Sequence, residues 1–129
     1  MFTIPQIKEL HSKVKSGADF PAYIQDLIAI GVQGYDIFVK DGHEEYFGTN
    51  DYRVAAPANY DPIPVAPLTN KERFIEFLVM HQDGQTNYLT FCNHAAQCGI
   101  AKWSVNLVEM TCTYFDPSDA AILIEKIPS

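Results

Sequence analysis

The chain has 129 residues, 47% of them hydrophobic, including seven tyrosines and eight phenylalanines. That length suits one domain spanning 1–129, and the composition is globular and rich enough for one sizeable core, which excludes a disordered chain. A formal charge of −7, with no cluster of lysine or arginine, repels a phosphate backbone and argues against nucleic-acid binding.

The first helix opens at Thr3, which stands at capping-box spacing from Gln6, with Pro5 in the first turn. Ile4, Ile7, Leu10 and Val14 recur at helical spacing until Ser16-Gly17. Asp19 is placed to cap a second helix whose apolar face is Phe20, Tyr23, Ile24, Leu27 and Ile28, with Gly31 as its stop. From Gln33 the period changes to two: Tyr35, Ile37 and Val39 alternate with Asp36, Phe38 and Lys40. Asp41-Gly42 predicts a two-residue hairpin turn, setting Val39 opposite Glu44, Ile37 opposite Tyr46 and Phe38 opposite Glu45. DYRVAA supplies a third strand. Four prolines between Pro57 and Leu68 predict an extended crossover, held against the body by Tyr60, Ile63, Val65 and Leu68.

Thr69 and Glu72 repeat the capping-box spacing and start a third helix, whose Phe74, Ile75, Phe77, Leu78 and Val79 predict a largely buried rod. A fourth helix runs from Thr86-Asn87 to Gly99. A long strand follows from Trp103, and its apolar side changes from Val105 and Leu107 to Val108, Met110, Cys112 and Tyr114. A bulge or bend near Leu107-Val108 is the expectation there. Asp116-Pro117-Ser118-Asp119 makes a turn into the closing strand AILIEKI.

The halves, about 1–55 and 69–129 with the crossover 56–68 between them, align without a gap at an offset of 68. Asp19 falls on Asn87, Tyr23 on Phe91, Gly31 on Gly99 and Tyr35 on Trp103. The pattern predicts an α+β two-layer sandwich, in which an αα-plus-β-hairpin unit occurs twice and four helices cover a mainly antiparallel sheet. A groove is expected where the halves meet.

The stretch CNHAAQCG, residues 92–99, gathers two cysteines and a histidine. Helical geometry buries Cys92, turns His94 to solvent and leaves Cys98 at the margin, where it can meet His94 four residues away. Six residues of helix rise roughly 9 Å, so Cys92 and Cys98 do not bridge each other. Cys112 shares its strand side with Met110 and Tyr114 and reads as core. With no C-x-x-C or H-x-x-x-H, no metal site is expected, and no nucleotide or hydrolase motif occurs. His94 with Cys98 is the remaining candidate for thiol chemistry. His81 at a helix end reads as a cation on the dipole. On the hairpin, Phe38, His43, Glu45 and Phe47 form a candidate partner surface.

The phrases MFTIPQIKELHSKVKSGADFPAYIQ, VKDGHEEYFG, HQDGQTNYLTFC and GIAKWSVNLVEMTCTYFD resemble an uncharacterised family of small bacterial proteins found in enterobacteria and their prophages. It is filed as a domain of unknown function and sometimes loosely labelled a phage envelope protein. The resemblance implies a compact α+β fold in a bacterial cytoplasm and supplies no reaction, cofactor or catalytic residue. The amino-terminal stretch lacks a basic-then-apolar signal pattern, no apolar run reaches a membrane span, and three cysteines without a signal read as reduced thiols. The expectation is a non-enzymatic interaction or accessory protein, binding a protein partner or itself, with a thiol-dependent enzyme or small-ligand binder as the alternative.

Overall fold

The computed structural model describes residues 2–15 and 19–127. Helix α1 (Ile4–His11) begins with the predicted capping box. Thr3 Oγ1 accepts the Gln6 N–H at 3.3 Å, and Gln6 Oε1 accepts the Thr3 N–H at 2.8 Å. The helix stops at His11, and Val14 reaches the core from the segment after it. The expected stop at Ser16-Gly17 lies outside the described residues. Helix α2 (Phe20–Ala29) buries Tyr23, Ile24 and Leu27, whereas Ile28, expected on that face, is 38% exposed. Asp19 does not cap it through its side chain; the carboxylate takes the Lys15 N–H at 2.8 Å instead.

Three strands follow: β1 (Gly34–Phe38), β2 (Glu44–Phe47) and β3 (Arg53–Ala56). The β1–β2 register differs by two residues from the two-residue turn: Ile37 stands opposite Glu44, Asp36 opposite Glu45 and Tyr35 opposite Tyr46. The crossover explains the wider loop. The Asp41 carbonyl accepts the N–H groups of Asn59 and Tyr60 at 2.8 and 3.2 Å, and that of Lys40 accepts Ile63 at 2.7 Å. Within the loop, Gly42 N–H donates to the Phe38 carbonyl at 2.8 Å. A Cβ on Gly42 would meet the Tyr60 ring at 2.6 Å, so the crossover packs into the space a side chain would need. A shift of two preserves the sides, and every β1 residue keeps its predicted face.

Helix α3 (Lys71–Gln82) is capped by Asn70, whose Oδ1 accepts the Arg73 N–H at 3.1 Å, one residue later than predicted. Thr69 donates to the Gly99 carbonyl at 3.3 Å instead. Phe74, Phe77 and Leu78 are buried, but Val79 is 50% exposed, so the rod is only half covered. Helix α4 (Tyr88–Gln97) is capped by Asn87.

The expected long strand is a hairpin of β4 (Lys102–Asn106) and β5 (Thr111–Phe115). Asn106 Oδ1 accepts the N–H groups of Val108 and Glu109 at 3.0 and 2.9 Å, and Met110 takes a φ of 57°. Chain reversal, not a bend, changes the apolar side. The Asp116 turn then leads into β6 (Ala121–Lys126) as predicted, with Asp116 Oδ1 accepting from Ser118 and Ala120.

The strands form one antiparallel sheet in the order β3-β2-β1-β4-β5-β6. With the helices it makes the α+β fold. The order reads the same from both ends, and the offset of 68 is written into the backbone. Helix α4 spans α2 plus 68, and β4 spans β1 plus 68. At the centre Asp36 faces Ser104, a pair that is itself 68 apart, as a two-fold axis between β1 and β4 requires. Val39 donates to Ala101 at 2.9 Å, and its counterpart Leu107 donates to Gln33 at 3.0 Å. The core lies on one side of the sheet, where Tyr35, Ile37, Tyr46, Trp103, Val105 and Tyr114 meet Ile24, Leu27, Phe74 and Phe91.

Candidate functional site

Alternation along each strand sends half of the side chains to the other face of the sheet. Asp36 and Phe38 of β1 stand there beside Glu45 and Phe47 of β2, Lys102 and Ser104 of β4, Phe115 of β5 and Ile124 of β6. None of these is among the buried core residues, and Ile124 is 62% exposed. The face combines aromatic rings with charge. Arg53 lies 4.9 Å from the Phe47 centroid, with its Nη1 3.4 Å from Glu45. Lys102 Nζ lies 5.9 and 5.0 Å from the Phe38 and Phe115 centroids and 3.7 Å from Asp119. At the pseudo-two-fold axis Ser104 Oγ donates to Asp36 Oδ1 at 2.6 Å.

The four residues of the predicted partner surface come together here. Phe38, Glu45 and Phe47 share the open face, and the His43 ring stacks on Phe38 at 4.2 Å and 3°. His43 is positioned by Asp41, whose Oδ1 lies 2.5 Å from its Nδ1 and accepts its backbone N–H at 3.0 Å. Burial works against the Asp41 carboxylate, but the two His43 donors prevail and hold its pKa below the ordinary value. Sequence reasoning missed Gly34, Lys102, Ser104, Phe115 and Ile124, which join this surface only because β4, β5 and β6 continue the sheet beyond β1.

On the helical side, a group of phenols gathers around Glu44. Tyr46 donates to the Glu44 carboxylate, and Tyr60 donates to the Val39 carbonyl. Burial, with the Glu44 charge behind it, pushes the Tyr23 pKa up to about 12 and raises Tyr46 far further. These hydroxyls are neutral hydrogen-bonding groups.

The His94–Cys98 pair does not assemble. Cys98 is the C-cap of α4, not a marginal helix residue, and is 2% exposed. Its loss of solvent raises the thiol pKa, with Arg73 opposing, so the nucleophilic thiolate is disfavoured. His94 is half-buried rather than solvent-facing: its ring stacks on Phe77 at 3.7 Å and 13°. Its Nδ1 is buried and has no hydrogen-bond partner among the described residues. Cys92 is fully buried, as predicted, and Cys112 is half-buried with its thiol pushed up to about 12, mainly by desolvation. His81 also departs from the cation reading. It stacks on Phe91 at 4.5 Å, and desolvation lowers its pKa against the opposing Thr86 carbonyl. Among the described residues, no group of three His, Cys, Asp or Glu side chains is placed to hold a metal ion, and no helix is long and apolar enough to cross a membrane.

A profile described as Protein of unknown function (DUF1398) matches residues 8–126, and the chain belongs to that family. No curated protein matches it.

Proposed function

We propose that the protein is a non-enzymatic binding module and that the uncovered sheet face receives a protein partner. One observation carries the reading: a six-stranded sheet keeps Phe38, Phe47, Phe115 and the 62%-exposed Ile124 on the face that the core does not use. Aromatic rings beside arginine and lysine are the side chains that dominate protein recognition, and an apolar surface rimmed by charge is the usual form of such a site. The resemblance noted in the sequence supports a bacterial cytoplasmic setting and an accessory role of prophage-related origin.

Paired variants test the reading. Ile124→Asp and Ala55→Glu place charge on exposed positions at the two ends of the open face, and each should leave the melting temperature nearly unchanged. Proteins captured by the wild-type chain and lost from both variants support the open face. Identical capture by all three chains overturns it. A captured second copy of the chain identifies the partner as self.

A further inference from the structure

The pseudo-two-fold places a built cation site in one half and an incomplete copy of it in the other. In the second half the cation is Lys102, which meets the rings of Phe38 and Phe115 and the Asp119 carboxylate at 3.7 Å. Subtracting 68 carries Phe115 to Phe47, Asp119 to Asp51 and Lys102 to Gly34. The loops holding the two aspartates close alike, although Asn50 is left-handed at φ 56° and its counterpart Ser118 is not. Gly48 N–H donates to the Tyr52 carbonyl at 2.8 Å, as Asp116 N–H donates to Ala120 at 3.0 Å, and Asp51 and Asp119 share φ values of 61° and 65°.

The Phe47 ring and the Asp51 carboxylate are therefore present in the first half, Asn106 stands at the counterpart of Phe38, and no lysine rises from the Gly34 position. Over Gly34 the surface sinks into a depression of about 240 Å³ walled by Asp36, Phe47, Ser104 and Asn106. The chain cannot fill it from the floor, because a Cβ on Gly34 would lie 2.8 Å from the Val105 carbonyl oxygen. Arg53 comes from β3, lies 4.9 Å from the Phe47 centroid and is drawn towards Glu45 at 3.4 Å. A cation over an aromatic face, with its alkyl stem on apolar surface, is a favourable arrangement, and the net charge of −7 attracts it.

We propose that the Gly34 depression receives a lysine side chain of the protein partner, its ammonium meeting Phe47 and the carboxylates of Asp36 and Asp51 as Lys102 meets Phe115 and Asp119. This rests on the binding-face reading and names the chemistry of what binds there.

Amide NMR of the full chain tests it, with a Gly-Lys-Gly peptide, the matching norleucine peptide and n-butylamine as probes. The lysine peptide should give saturable shifts centred on Gly34 and Phe47, and the norleucine peptide none. Asp36→Asn and Asp51→Asn should each weaken binding roughly 2- to 5-fold. Lys102→Ala should open a second site with matching shifts at Phe115; their absence in a folded variant overturns the template. Butylamine binding as tightly as the peptide overturns the assignment to a protein side chain. If the peptide leaves Gly34 unshifted while Ile124→Asp still loses its partner, the lysine assignment fails and the binding face stands. If Ile124→Asp and Ala55→Glu both keep the partner, the binding face itself fails, whatever the probes do.

Discussion

At Cys98 the protein excludes the water that would solvate a thiolate, and the thiol pKa rises accordingly. Native-state labelling with a thiol reagent should modify Cys98 more slowly than in the denatured chain, with no low-pH thiolate reaction; rapid labelling below neutral pH contradicts this. His81 carries a sign that can be worked out. Its folded pKa lies below the ordinary 6.5, so the unfolded chain takes up the proton first. The stability this contributes is complete above about pH 6.5 and is lost as pH falls through the lowered folded value. Urea titrations across that window should show stability falling with pH, and His81→Asn should flatten the slope. An unchanged slope in the variant contradicts the assignment. Single residues were legible in the sequence where the signal is local. The Thr3–Gln6 box needs only neighbours in one turn, whereas the exposure of His94 depended on Phe77 of another helix.

At the scale of elements, Gly31 and Gly99 end equivalent helices with φ of 99° and 76°, and they differ in what surrounds them. A Cβ on Gly31 meets nothing closer than 4.0 Å, while one on Gly99 would lie 2.5 Å from the Leu68 carbonyl oxygen. Gly31→Ala should cost about 1–2 kcal/mol for the left-handed backbone alone. Gly99→Ala should cost clearly more, because the crossover must also move; equal losses on chemical denaturation contradict that packing. The β4–β5 turn was hidden in the sequence because 107–110 contains neither glycine nor proline. The Asn106 side chain supplies the turn instead, so Asn106→Ala should destabilise by about 1 kcal/mol. The hairpin at Gly42 was visible, but its loop length was not. That length is fixed by Asn59, Tyr60 and Ile63, which are distant in sequence.

Across the whole molecule the offset of 68 was readable from caps, stops and apolar positions, and it corresponds to the palindromic order of the sheet. The open face was readable only in part. Phe38, Glu45 and Phe47 alternate with core positions on one hairpin, so local periodicity exposes them. Gly34 and Lys102 belong to the same surface through the β1–β4 junction, and the signal that relates them is the repeat, which sets a glycine where its counterpart is a lysine. That difference breaks the symmetry of the face and gives its two ends different chemistry. The central claim is that partners meet the open sheet face and not the helical layer. Its most direct test is a crosslinking map on the full chain in cells, with a photoreactive phenylalanine at Phe115 or Ile124 on the sheet and at Ile75 or Val79 on α3. Adducts from the sheet positions alone are expected; adducts from α3 with none from the sheet would contradict the account.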